Sequence, residues 1–168
     1  MSDKKRLLIF DLLLAAVFVI ADQAAKAAAV AGLKDKEDLI LIKGALQLHY
    51  LENRGAAFSM LQNATPVFII AAAVMFIVMG YVLVKVPVGK KYFPWHIFCT
   101  MIAAGGVGNL IDRIRLGYVI DFIYFSLIDF PVFNVADICV TVGVALICGF
   151  ILFVWKEEDM KFLSGHDK

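Results

Sequence analysis

The sequence predicts an all-α membrane protein: four transmembrane helices with a small β-rich cradle and an interfacial loop on the outer face. Hydrophobic residues make up 62% of the 168-residue chain and charged residues 18%, far from the roughly half-apolar, quarter-charged mix of soluble domains. The apolar residues cluster in four windows, about 7–31, 66–86, 95–114 and 134–155. Each is close to the roughly 20 residues that carry a helix across hydrocarbon, where backbone groups must bond within their own helix. The polar residues inside these windows gather towards one face of the bilayer. The whole chain, 1–168, reads as a single membrane domain.

The first window follows Lys4-Lys5-Arg6 and has small residues around Ala29 and Ala31, so it has some features of a signal peptide. Asp22, Gln23 and Lys26 precede that point and three more spans follow, which favours an uncleaved anchor. The outer segment 32–65 opens with a polar run, Gly32 to Asp38. Leu39–Ile42 and Leu46–Leu51, separated by the turn-like Lys43-Gly44, then suggest two short strands. Such a hairpin is marginal alone and needs the bilayer surface or the bundle against its apolar face. The end of the second window and the connection to the third supply Lys85, Lys90 and Lys91 with no acid. Segment 115–133 is rich in aromatic residues, namely Tyr118, Phe122, Tyr124, Phe125, Phe130 and Phe133, as expected of a loop at the headgroup level or in contact with substrate.

Lys and Arg near span ends favour the cytoplasmic side. Lys4, Lys5 and Arg6, with Lys85, Lys90 and Lys91, therefore place both termini inside and segments 32–65 and 115–133 outside. Lys34, Lys36, Lys43 and Arg54 in the longest outer segment run against this topology, although four acids accompany them. A formal charge of +1 without a long basic run gives no sign of nucleic-acid binding. Cys99, Cys139 and Cys148 form no CxxC pair, and His49, His96 and His166 are dispersed, with His49 expected in a loop and His96 at the bilayer interface. No metal set, cofactor motif or Ser-His triad is expected from them.

Ionisable groups inside a span are costly and therefore informative. Asp22 and Lys26 are four apart on one helical face. A rise of about 1.5 Å per residue from Leu7 carries Asp22 roughly 22 Å inward, into the outer half of the membrane. The third span, running outward, ends with Asn109, Asp112 and Arg113; the fourth begins with Asn134 and Asp137; Asp121 lies in the loop between them. Only Asp11 lies towards the opposite side, where solvation at the inner interface is expected. Plainer explanations exist for each piece. Asp22 and Lys26 can form a structural ion pair, Asn134 and Asp137 can cap a helix, and Gly105, Gly106 and Gly108 suit close helix packing.

Two carboxylates, Asp121 and Asp137, supply the chemistry that best uses this set. Held close together, they cannot both ionise easily and share one proton. The ionised partner can take a proton from water attacking a carbonyl while the protonated partner donates to the carbonyl oxygen. Two readings of other kinds compete. A transporter or channel subunit would carry its polar path across the bilayer, yet the inner half holds few candidates. In a noncatalytic assembly protein, charge removal would impair folding rather than turnover.

The chain closely resembles the lipoprotein signal peptidases (signal peptidase II) of bacterial membranes. The matching runs are Asp22-Gln23-Ala24-Ala25-Lys26, Glu52-Asn53-Arg54-Gly55-Ala56-Ala57-Phe58-Ser59, Gly105-Gly106-Val107-Gly108-Asn109-Leu110-Ile111-Asp112-Arg113, Val119-Ile120-Asp121-Phe122 and Phe133-Asn134-Val135-Ala136-Asp137. Each is weak alone; their order and placement together are specific. The resemblance implies an aspartyl endopeptidase that cuts diacylglyceryl-modified prolipoproteins just before the lipidated cysteine. It also implies a multi-pass protein of the bacterial inner membrane that is inhibited by globomycin-type cyclic peptides; a monomer among membrane lipids is expected. Asp121 and Asp137 would be its catalytic pair. Asp22, Lys26, Asn53, Arg54, Gly55, Asn109, Arg113 and Asn134 would support the site or bind substrate. One departure is Ala24-Ala25, where bulkier or hydroxyl residues are common in the family.

Overall fold

The computed structural model describes residues 2–55 and 65–164. Four long helices form the bundle: α1 (Asp3–Leu33), α2 (Thr65–Lys85), α3 (Phe93–Leu116) and α4 (Val135–Phe153). All four are long and apolar enough to cross a membrane. They extend the expected windows by no more than four residues at either end or fall within two residues of them. Their boundaries have local causes. Ser2 caps α1 by accepting the Lys5 N–H at 3.4 Å. Pro94 sits in the first turn of α3, and Gly117 ends that helix with φ +78, its N–H returning to the Arg113 carbonyl.

α3 packs against α1, α2 and α4 and is the most enclosed helix. Its glycines allow this approach. A Cβ on Gly108 would lie 2.6 Å from Asp22 Oδ2, and one on Gly105 would collide with the Ala136 carbonyl oxygen of α4. The outer faces of the helices remain apolar and exposed, as at Leu12, Leu13, Val17 and Ile20 of α1, as a surface meeting lipid chains requires.

The beginning of α1, the end of α2, the beginning of α3 and the end of α4 share one end of the bundle. There Lys4 Nζ donates to the carbonyls of Leu83, at 3.0 Å, and Val86. Lys91 pairs with Asp159 at 2.6 Å. Trp95 stacks on Trp155 with ring centroids 4.4 Å apart over a cluster that includes Leu83, Val86, Phe98 and Cys99.

Two expectations for this end need correction. Asp11 is not solvated and His96 is not an interfacial residue: Asp11 is 4% exposed, His96 0%, and they meet at 2.8 Å through Asp11 Oδ2 and His96 Nδ1. Depth along a helix follows from residue count, but the direction a side chain takes around the axis depends on the neighbouring helix. Here α3 supplies a partner where solvent was expected.

At the opposite end lies a three-stranded antiparallel sheet in the order β1 (Leu39–Ile42), β2 (Leu46–Asn53) and β3 (Val119–Tyr124). The first two strands match the expected hairpin. The third comes from the aromatic segment, which is therefore part strand and part turn rather than a simple interfacial loop. Phe122 is buried with Ala29 and Leu33 of α1, with Leu48 and Tyr50 of β2 packed against them. The bundle thus covers part of the hairpin's apolar surface, while Leu39–Ile42 of β1 remain exposed. A register irregularity between Leu48 and Leu51 immediately precedes the pairing of Leu51 with Asp121; bulges of this kind re-aim side chains.

Candidate active site

β3 carries Asp121 inward from the edge of the sheet, and the chain returns to the same point through Phe133, whose backbone bonds with Phe122 and Ile123. Asn134 follows at once and starts α4. Its side chain accepts the Asp137 N–H at 3.0 Å while its own N–H donates to Asp137 Oδ2 at 3.1 Å, completing a capping box. The same side chain donates to Asp121 Oδ1 at 2.6 Å. Asn134 therefore touches both carboxylates, one through its amide side chain and the other through its backbone. Capping does not compete with a site here, because the cap itself brings the two aspartates together.

The remaining carboxylate oxygens also have donors. Asn53 Nδ2 donates to Asp121 Oδ2 at 2.8 Å, and Asn109 Nδ2 donates to Asp137 Oδ1 at 2.8 Å. Asn109 Oδ1 accepts from Lys26 Nζ at 2.9 Å and from Asn134 Nδ2 at 3.0 Å. Lys26 is also 2.9 Å from both Asp22 and Asp112. Asp22 in turn accepts the Ala136 N–H of α4 at 2.9 Å. One buried lysine thereby links α1, α3 and α4, and its charge is met by two carboxylates whose other oxygens accept further hydrogen bonds. A buried charge requires such company.

Two members of this network were absent from the expected site set. Asp112 accepts the Ile120 N–H at 3.2 Å, fixing the approach to β3, and Gln23 donates to Asp112 Oδ1 at 2.9 Å and to the Gly108 carbonyl at 3.2 Å. Their signal was present: Gln23 adjoins Asp22, and Asp112 stands three residues after Asn109 at the same depth.

Asp121 and Asp137 line a cleft of about 1030 Å³ that is also bordered by Asn53, Gly55, Asn109 and Arg113. Asp121 is only 2% exposed. Burial, helped by the nearby Asp137 charge, pushes its carboxyl up to about 7, against the opposing pull of the hydrogen bonds from Asn53 and Asn134 and of the Lys26 charge. At neutral pH it holds a proton for a substantial fraction of the time.

The other expected residues divide. The Arg113 guanidinium lies 4.7 Å from the Phe68 ring centroid and makes a long 3.5 Å contact with the Asn109 carbonyl. Among the described residues, no hydrogen bond joins it to either cleft aspartate. Gly55 borders the cleft and donates its N–H to Asn53 Oδ1 at 2.9 Å. Arg54 turns away to Glu52, at 3.5 Å, and to the Tyr118 ring, at 5.2 Å. Ala56, Ala57, Phe58 and Ser59 of the same motif lie outside the described residues.

Known proteins share this architecture and sequence. The family described as Signal peptidase (SPase) II matches residues 14–153. Lipoprotein signal peptidases of Streptococcus pyogenes serotype M6 (strain ATCC BAA-946 / MGAS10394) and serotype M5 (strain Manfredo) are each 40% identical over 157 residues, 93% of this chain and 97% of theirs. Two solved structures described as bacterial membrane enzymes, determined by the in meso method at 2.3 and 1.9 Å, superpose with TM-scores of 0.72 and 0.75. Their identities are 29% and 30%; the matches cover 88% and 87% of this chain and 93% and 94% of theirs. With four membrane-length helices, the small sheet and matches running through most of its length, the chain belongs to the signal peptidase II family of membrane peptidases.

Proposed function

We propose that this chain is an aspartyl endopeptidase that removes the signal peptide of diacylglyceryl-modified prolipoproteins, cutting immediately before the lipidated cysteine. The observation that carries the reading is the meeting of Asp121 and Asp137 at Asn134, in a cleft between the bundle and the sheet. Family membership supports the substrate class.

Asp121 holds the single shared proton and Asp137 is the base. Asp137 takes a proton from water as the water oxygen bonds to the scissile carbonyl carbon, and Asp121 donates its proton to the carbonyl oxygen. As the resulting diol collapses, Asp137 delivers its proton to the leaving nitrogen, the C–N bond breaks and Asp121 recovers a proton from a hydroxyl. Asn53, Asn109 and Asn134 hold the two carboxylates in place. The guanidinium edge of Arg113 binds a substrate carbonyl with a planar fork of donors that lysine lacks. Asp22 and Lys26, buried behind Asn109, support the site without touching substrate. Gly55 lets the peptide approach closely, and Arg54 braces the end of β2 against Tyr118.

The site lies at the outer face of a bacterial inner membrane, both termini being cytoplasmic. A lipid-modified substrate enters laterally, its acyl chains remaining among the exposed apolar helix faces. The peptide bond then reaches the aspartates at the water boundary, because hydrolysis needs water and the lipid chains need hydrocarbon. Globomycin-type cyclic peptides would occupy the same cleft.

The test uses purified protein in detergent or lipid, a diacylglyceryl prolipoprotein substrate and sequencing of the product ends. Wild type should yield a product beginning at the modified cysteine, whereas Asp121→Asn and Asp137→Asn should lose at least 100-fold in turnover, the lower end of acid–base contributions, while remaining folded. Normal turnover by either variant overturns the dyad; a different product end overturns the cleavage position.

A further inference from the structure

At the end of the bundle away from the aspartates, a second cavity of about 410 Å³ lies between the first turns of α1 and the connection leading into α3. It is bordered by Arg6 and Lys90 at its polar rim and by Leu7, Val88 and Phe93 on its apolar walls. Val88 and Phe93 are exposed, and Phe10, also exposed, stands against Phe93 with ring centroids 5.4 Å apart. The apolar wall therefore continues from the rim towards the hydrocarbon.

The cations around this cavity are not alike. Lys4 is spent on the carbonyls that end α2, Lys85 lies over Tyr81 at 5.8 Å and Lys91 pairs with Asp159. Lys90 has no side-chain partner among the described residues and borders the cavity. Among the described residues the Arg6 side chain has only an open contact with Asp3, 3.7 Å away and also on the rim, with both side chains about two-thirds exposed or more. An exposed pair of this kind contributes little and yields to a stronger anion.

We propose that this cavity binds one anionic glycerophospholipid. Arg6 and Lys90 hold its phosphodiester, and its acyl chains run along Leu7, Phe93 and Phe10. The chemistry fits a lipid better than a free anion because the two cations stand at the end of membrane-length helices, directly above an apolar wall. Basic pockets between membrane helices recognise phospholipid headgroups in this way. A bound lipid would tie the start of α1 to the turn before α3. The site is separate from the aspartate cleft, and the inference does not depend on the proposed reaction.

The test is native mass spectrometry of the intact protein released from detergent, titrated separately with phosphatidylglycerol, phosphatidylcholine and inorganic phosphate. One tightly held phosphatidylglycerol is expected, with phosphatidylcholine and inorganic phosphate much weaker. A cation near an anionic headgroup is worth roughly a fivefold change in affinity. Arg6→Gln and Lys90→Gln should each weaken phosphatidylglycerol binding by about that factor and together by roughly 30-fold. Lys5→Gln, exposed but outside the cavity, should change affinity less than twofold. Equal loss in Lys5→Gln would reveal diffuse surface attraction and overturn the site. Unchanged affinity in the double variant, or phosphatidylcholine binding as tightly, would also overturn it; inorganic phosphate binding as tightly would show that the lipid chains play no part.

Discussion

Asn53 illustrates how much one side chain can settle. The family resemblance implies a residue that supports the site or binds substrate, and its amide nitrogen donates to Asp121 Oδ2 while its oxygen accepts the Gly55 N–H. Its part in the proposed reaction is therefore to position Asp121 and favour the ionised form of that carboxyl. The Asp121 carboxyl titrates at about 7, raised first by burial and then by Asp137, and Asn53 opposes this rise. Loss of the protonated acid should lower turnover as pH passes upward through that region. Removing the Asn53 donor takes away a stabiliser of the ionised form, so Asn53→Ala should move this alkaline limb to higher pH. A pH profile of kcat checks it, the expected result being a limb displaced upward. The linkage to stability has the same sign: because the folded-state value lies above the ordinary carboxylate range, the contribution of Asp121 to stability is complete below about pH 4 and is lost as pH rises through about 7.

At the scale of elements, α1 and α3 are joined at two depths by different chemistry. Near the aspartate end the joint is Lys26 with Asp22, Asp112 and Asn109; near the opposite end it is the buried pair Asp11 and His96. Removing one member of a buried polar pair strands the other, at a cost of about 1–3 kcal/mol for a neutral group and more for a charged one, whereas replacing both by apolar groups is often nearly neutral. His96→Leu should therefore destabilise the protein by about that amount, while Asp11→Leu with His96→Leu should recover most of the loss. Unfolding of the single and double variants in detergent measures both. The start of α4 shows the opposite economy, since one capping box both ends the loop and assembles the aspartate pair.

At the scale of the whole molecule, the site is a junction of five elements, α1, β2, α3, β3 and α4, and Lys26 stands at its centre with 1% of its surface exposed. Lys26→Met keeps the side-chain bulk but leaves Asp22 and Asp112 without their shared cation. It should cost roughly 3–5 kcal/mol of stability and reduce turnover even where the protein is kept folded, since Asn109 loses one of the two donors that orient it towards Asp137. Combined stability and single-turnover measurements separate the two effects. By itself the sequence determined the four spans, the hairpin and the common depth of Asp22, Lys26, Asn109, Asn134 and Asp137, because apolar length and helical rise are local quantities that residue counting captures. The family motifs also carried the likeness to signal peptidase II, since a resemblance of this kind is carried by residue order alone. Only the tertiary structure decided that segment 119–124 adds a third strand, that Arg54 faces Glu52 and Tyr118, that Asp112 and Gln23 complete the lysine network and that Asp11 is buried on His96. Each of these depends on the azimuth of a side chain or on pairing between distant segments, which packing against a neighbour sets and local sequence does not.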